Sequence, residues 1–232
     1  MSRPHVLPLV AIPLFILMAA VAGCSIPGLQ LALFPPFQSA SSDEDVIGLR
    51  LSAIYGSSHD VQGVDLGLLG NESESDTGLM LSGLYSHCRG SMGGLQLSGL
   101  WSRAGELDGL QASGLVSRSK GHTSGVQLSG IGNYAAAHGL AVQVAGVVNH
   151  CDTMRGGQVA AIANVAELDA KGVQVGLVNA CKGFLSGVQV GLVNSADNLN
   201  GVQIGVINRT HSAWLPVVPI LNIRFADLPP LE

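Results

Sequence analysis

The side chains that could do chemistry in this 232-residue chain are spread along a repeat and do not converge on one place. Histidine, cysteine, serine and aspartate all occur, but at scattered positions between short apolar runs. No phosphate-binding loop, paired-histidine metal motif or nucleophile elbow is present. Gly130-Ile131-Gly132 also lacks the third glycine of a dinucleotide fingerprint. The sequence therefore predicts a protein that is not an enzyme and that uses no cofactor.

One column of basic and aromatic residues is the most suggestive candidate for binding. It returns once per repeat and consists of His87, Arg103, Arg118, Tyr134 and His150. On an acidic chain, this basic strip would suit an anionic ligand such as an acidic glycan or a phosphate-bearing molecule. Exposed histidines would add positive charge to it below about pH 6.5. A solvated row that merely offsets negative charge would give the same pattern, so both interpretations stay open.

Three cysteines share another column, in which every other occupant is small. Cys88, Cys151 and Cys181 each stand two residues after the Asn or Ser that closes a repeat. If the repeats stack at about 4.8 Å, Cys151 and Cys181 are roughly 9.6 Å apart, beyond the limit of about 7 Å between the Cα atoms of a disulfide. We therefore predict free, buried thiols. The absence of a Cys-x-x-Cys spacing argues against a metal site.

The fourth cysteine, Cys24, lies at the end of an apolar N-terminal run. Arg3 precedes residues 6–22, and Val-Ala-Gly stands directly before Cys24, as in the motif cut by lipoprotein signal peptidase. We predict a signal peptide over 1–23 and a lipid on Cys24, with Ser25 favouring the outer membrane. An ordinary cleaved signal, or an uncleaved anchor, remains the alternative.

The composition is typical of an exported protein without catalytic activity. Only 12% of the residues are charged, and the net charge is −5. Such a surface argues against nucleic acid as a partner. The expected partners are the membrane, through the N-terminal lipid, and an envelope protein or glycan.

A repeat of 14 to 16 residues must position all these side chains. Its cleanest copies are GVQVGLVN at 172–179 and 187–194 and GVQIGVIN at 201–208. The eleven copies begin at Gly48, Gly63, Gly78, Gly94, Gly109, Gly125, Ala141, Gly156, Gly172, Gly187 and Gly201. A period this short excludes a helical pair and predicts one turn of β-structure per copy.

Alternation within each copy predicts which columns face the core. Val173 and Val175 point one way and Gln174 the other, so we expect the two apolar columns to be core and the glutamines to form a polar ladder. The opposite wall comes from residues two places before each start, namely Val61, Met92, Leu107, Met154, Ala170, Leu185 and Leu199.

A further apolar column stands just before each closing residue. Its members are Tyr55, Tyr85, Trp101, Val116, Val148, Val178, Val193 and Ile207. Strict alternation would turn them outward as a stripe for a protein partner. We favour core, because the Asn ladder beside them is typical of a corner.

The fold predicted from these columns is an all-β solenoid of about eleven rungs, roughly 50 Å long at about 4.8 Å per rung. An antiparallel meander or barrel is the alternative. We expect a lipidated tether and N-terminal cap over 24–47, the solenoid over 48–212 and a C-terminal cap over 213–232. In that cap Trp214 and residues 216–225 supply large side chains to close the open end.

The GxQxGLxN units and the closing LPVVPILNI at 215–223 resemble the leptospiral-type surface-repeat family of Gram-negative envelope proteins. The resemblance is strongest from Gly125 onward. It is looser in the first copies, where Arg50, Asp65 and Met80 replace the glutamine. It implies an envelope location and a repeat architecture, without an established activity or transferable site residues.

Overall fold

The computed structural model describes residues 28–34, 37–39 and 42–225, and the described chain is built of β-strands without a helix. The predicted signal peptide, Cys24 and residues 226–232 lie outside the described residues. The strands are β1 (Leu29–Phe34), β2 (Phe37–Gln38), β3 (Val46–Ser52), β4 (Tyr55–Gly67), β5 (Gly70–Ser82), β6 (Tyr85–Ser98), β7 (Trp101–Ser113), β8 (Val116–Ser129), β9 (Gly132–Ala145), β10 (Val148–Cys151), β11 (Met154–Ala160), β12 (Ala163–Ala166), β13 (Ala170–Val175), β14 (Val178–Val190), β15 (Val193–Thr210) and β16 (Val217–Arg224).

Successive repeats pair in parallel and in register. The starting residue of each copy pairs with that of the next, as Gly63 does with Gly78 and Gly172 with Gly187. The result is a β-solenoid of about 10 turns. This confirms the predicted fold class, and the parallel pairing excludes the antiparallel meander and the barrel. Eleven starts enclose ten complete turns, which accounts for the difference in number.

Gly187 and Gly201 illustrate why ten of the eleven repeats start with glycine. Gly187 has φ 149°, and a Cβ there would lie 1.9 Å from the carbonyl oxygen of Gly172. Gly201 repeats the arrangement against Gly187, again with 1.9 Å. A side chain at these positions would both strain the backbone and separate the rungs.

The glutamine column, and not the two valine columns beside it, faces the core. Gln174 is fully buried, whereas Val173 is 43% exposed and Val175 37%. The prediction of an apolar core from those two columns was therefore wrong. Period-two alternation says only that the two sets face opposite ways, and the glutamines can be buried because each amide finds its partner one rung away.

The glutamine ladder is continuous through the later rungs. Gln111 Nε2 donates to Gln96 Oε1 at 2.8 Å, and Gln127 Nε2 donates to Gln111 Oε1 at the same distance. The same bond continues up to Gln203. A parallel asparagine ladder runs from Asn133 to Asn208. Rung-to-rung amide bonds of this kind give the buried amides inside each ladder a donor and an acceptor.

The rest of the interior is apolar or small. The predicted opposite wall is confirmed, since all seven of its members are buried. The small-residue column is buried beside it, so Cys151, Cys181, Met154 and Leu185 belong to one core cluster.

Extra strands cover both ends of the solenoid. β1 pairs in parallel with β3, and β2 turns back against β1. At the other end β16 pairs antiparallel with β15, and Asn222 Nδ2 donates to Gln203 Oε1 at 2.8 Å, which completes the glutamine ladder. Trp214 is 91% exposed, so it does not close this end as predicted; a polar side chain does so because the ladder leaves an amide oxygen to satisfy.

Candidate interaction surfaces

A continuous apolar band covers one side of the solenoid. We define the band as the outward side chains of segments 48–55, 63–70, 78–85, 94–101, 109–116, 125–132, 141–148, 156–163, 172–178, 187–193 and 201–207. Arg50 and Asp65 are the only charged residues in these segments, and both are fully buried. The band therefore exposes no charge over its whole length.

The band is convex because the chain turns in its middle. On the rung of β6 and β7, Ser98 and Ser102 lie on either side of the bend, with their Oγ atoms 2.7 Å apart inside it. Leu100, at the outside of the same bend, is 43% exposed, and Leu192 in the same column is 52% exposed. Exposed large apolar side chains recur in the band along the whole solenoid, whereas the largest apolar patch of a typical monomer covers only a few hundred Å².

The apolar column before the closing residues belongs to this band. Trp101 is 46% exposed, Val178 40% and Ile207 45%. The prediction that this column is core was wrong. The chain does bend just before it, but the following Asn or Ser is fully buried, as Asn179 is. Alternation then turns the preceding residue outward.

The basic strip lies beside the band on five consecutive rungs. His87 pairs with Arg103, Arg103 with Arg118, and Arg118 with Tyr134, which in turn pairs with His150. Arg118 and Tyr134 are exposed and the other three are half-buried. The structure therefore brings together all five residues that the sequence singled out.

An acidic residue lies beside the histidine at each end of the strip. His87 Nδ1 lies 3.3 Å from Glu72 Oε1, and His150 Nε2 lies 3.2 Å from Glu167 Oε1. Arg103 and Arg118, in the middle, have no carboxylate within 4.0 Å in the described part of the chain. The positive charge of the strip is thus concentrated on these two arginines.

The protonation of His87 differs from the sequence expectation. Partial burial lowers the pKa of His87 below its usual range, and Arg103, Arg89 and Lys120 lower it further, while Glu72 opposes them. His87 therefore gains its charge at a lower pH than an exposed histidine would.

A buried polar cluster occupies the first rungs, where the glutamine ladder is absent. The Arg50 guanidinium donates from Nε to Asp65 Oδ1 at 2.7 Å, and a second nitrogen donates to the other carboxylate oxygen. Arg50 also donates to the carbonyl oxygen of Glu72 at 3.0 Å. Burial raises the pKa of Asp65, and the hydrogen bond and charge of Arg50 oppose this rise.

Asp76 lies next to this cluster and was not recognised from the sequence. It occupies the apolar wall between Val61 and Met92, it is fully buried, and neither carboxylate oxygen has a hydrogen-bond partner. Burial, and then the charge of Asp65, raise the pKa of Asp76 to about 7. The position could have been flagged, because it is the acidic member of a mostly apolar column.

The three cysteines of the solenoid are free and buried, as predicted. Burial raises the pKa to about 12 for Cys88 and Cys151 and to about 11 for Cys181. Such thiols are poor nucleophiles and poor metal ligands near neutral pH.

One surface group has the composition of a metal site. Ligand atoms of Asp45, His59 and Asp60 lie within 4.8 Å of one another. Asp45 and His59 are exposed, and acidic surface groups commonly come this close without a metal, so we assign no site here.

None of the described residues forms a helix able to cross a bilayer. No protein-family description matches this chain, and no curated protein or solved structure is significantly similar to it. The resemblance to the surface-repeat family therefore stays a prediction.

Proposed function

We propose that this protein is a lipid-anchored module of the bacterial envelope that lies along a membrane surface through its apolar band. The observation that carries the proposal is the band itself, which is uncharged, apolar and as long as the solenoid. A surface of this size requires a cover in water. On this proposal the protein has a structural or interaction role and is not an enzyme.

The convex shape of the band favours lipid over a rigid partner. Its most exposed column runs along the outside of the bend, and the apolar columns on either side face away from one another. A second rigid copy would cover one side and leave the other exposed, whereas fluid acyl chains can cover both. Backbone groups of neighbouring rungs pair with one another along the parallel ladders, so the outer face brings few unsatisfied backbone groups to the lipid.

The side chains at the margin of the band also suit a membrane interface. Trp101 and Arg103 stand two residues apart on the same outer face, because Ser102 between them points inward. Tyr85 contacts His87 in the same way, with ring centroids 5.9 Å apart. Aromatic rings at the level of the lipid headgroups, with arginines next to them, are typical of surface-bound membrane proteins.

A fluorescence experiment tests this orientation independently of the lipid anchor. The chain has two tryptophans, so replacing both with phenylalanine and introducing Val193→Trp places one reporter in the band, nine rungs beyond Tyr55. Lys182→Trp in the same background is the matched control, because this exposed side chain lies outside the band. We expect vesicles with brominated acyl chains to quench the reporter at 193 and to leave the reporter at 182 bright.

If the reporter at 193 is no more quenched than the reporter at 182, the proposal is overturned, because the far end of the band does not then contact the acyl chains. If the reporter at 193 is unquenched and a concentration-dependent dimer forms, a second copy covers the band.

The unpaired arginines favour a second candidate function, namely binding of an acidic glycan or a small anionic ligand by the basic strip. Arg103 and Arg118 lie on neighbouring rungs without a carboxylate within 4.0 Å in the described part of the chain. This candidate predicts one dominant ligand class on a glycan array and its loss in the double variant Arg103→Ala, Arg118→Ala. Unchanged affinity in that variant would refute it.

A further inference from the structure

An apolar groove of about 810 Å³ is set into the band at its N-terminal end. It spans β1 and the first rungs and is lined by Leu31, Ala32, Leu33, Phe37, Leu51, Ser52, Ala53, Leu66, Gly67, Leu68, Leu81, Ser82 and Gly83. No lining residue is charged. The volume lies within the ~300–1,000 Å³ range of pockets that hold one small organic molecule.

The rungs that line the groove stack closely, and this requires glycine at position 83. A Cβ at Gly83 would lie 1.9 Å from the carbonyl oxygen of Leu68, so no side chain fits there. At one wall, the ring of Phe37 packs edge-on against Phe34 at 5.0 Å. The groove is therefore a consequence of rung spacing and of the strands that precede the first repeat.

The segment of the chain that leads into the groove indicates what occupies it. Leu31 and Leu33 line it from β1, and Cys24 precedes Gly28 by only four residues, a reach of at most about 14 Å. A second apolar groove of the band, of about 440 Å³, is lined by residues between 176 and 220 at the far end of the solenoid. Of these two grooves, only the larger can be reached from Cys24.

We propose that one acyl chain of the lipid carried by Cys24 occupies this groove. This inference rests on the lipid anchor of the proposed function. The uncharged lining matches a saturated hydrocarbon and gives a charged headgroup no partner. The anchored chain holds the first rungs against the bilayer and so couples the position of the anchor to the orientation of the band.

Photocrosslinking of the full-length protein in cells tests the inference. Cells are fed a fatty acid that carries a diazirine and an alkyne, irradiated, and the crosslinked peptides are mapped by mass spectrometry. We expect the N-terminal lipopeptide to be joined to residues 51–83 of the same chain.

Two variants at the same place in the repeat give a matched pair. Ala53→Trp fills the groove and should lower these crosslinks by about tenfold, because surplus volume excludes an occupant. Ala161→Trp adds the same side chain at the equivalent bend seven repeats later, outside the groove, and should leave the crosslinks unchanged.

The remaining outcomes separate this inference from the proposed function. If the probe is attached to Cys24 but crosslinks only to lipid or to scattered surfaces, the groove assignment is wrong and the lipid anchor stands. Groove crosslinks that persist in Cys24→Ser would show that a membrane lipid is the occupant and would overturn the inference. Absence of the probe from the N-terminal peptide would overturn both.

Discussion

Replacing Asp76 with asparagine should remove a large part of the pH dependence of stability. Asp76 is fully buried with both carboxylate oxygens unpartnered, and its pKa in the folded chain is about 7, against 3.8 as its ordinary value. The folded chain therefore binds this proton more tightly than the unfolded chain does. The stabilising effect is complete below about pH 4 and is lost as the pH rises through about 7.

The size of the effect follows from the two pKa values. A difference of about 3 between folded and unfolded chains corresponds to about 4 kcal/mol. Because Asp76 is shielded from solvent, little of this is screened. Asparagine resembles the protonated acid in shape, so the variant should exceed the parent's free energy of unfolding by only about 1 kcal/mol at pH 4.5 but by up to about 4 kcal/mol at pH 8.5.

Urea denaturation followed by circular dichroism at these two pH values measures the difference. Asp108→Asn is the matched control, since Asp108 is exposed on the outer surface two rungs further along. It should give the pH dependence of the parent. If Asp76→Asn loses stability between pH 4.5 and 8.5 as steeply as the parent, the carboxyl group does not titrate in the core and the argument fails.

Three further predictions concern the ladder, the starting glycines and the thiols. Gln127→Ala leaves a donor and an acceptor unpaired on its two buried neighbours and should cost about 2–5 kcal/mol in urea unfolding, whereas exposed Gln62→Ala should change the free energy by less than about 0.5 kcal/mol. Gly187→Ala should cost about 2–4 kcal/mol, while Gly157→Ala, whose Cβ would meet nothing nearer than 3.8 Å, should be almost neutral by the same assay; equal costs would contradict the stacking argument. A thiol reagent at pH 8 should modify Cys88, Cys151 and Cys181 only after the protein is unfolded in guanidinium. Rapid modification of these thiols in the folded protein would show that they are accessible.

Much of the fold could be predicted because the repeat encodes it locally. The 14- to 16-residue period, the glycine at ten of the eleven starts and the small residues around Cys88, Cys151 and Cys181 specify stacked β-strand rungs and a narrow interior. The alignment of the basic strip followed directly from the same period, since residues one repeat apart lie on adjacent rungs.

The candidate surfaces could be predicted only in part. The five residues of the strip were found from their column, but their charge balance depends on Glu72 and Glu167, which the fold brings beside them. The apolar groove arises where β1 and β2 pack beside the first rungs, and no local sequence pattern predicts it.

The sequence by itself determined that this protein is a stack of β-strand rungs, with one set of side-chain columns facing inward and another facing outward. Which set is inside was decided by the tertiary structure. Alternation gives two opposite faces without naming the buried one, and hydropathy favoured the valines flanking Gln174. Only when rungs stack in register do the glutamine and asparagine amides satisfy one another, and this lets polar columns fill the core and leaves an apolar band on the surface.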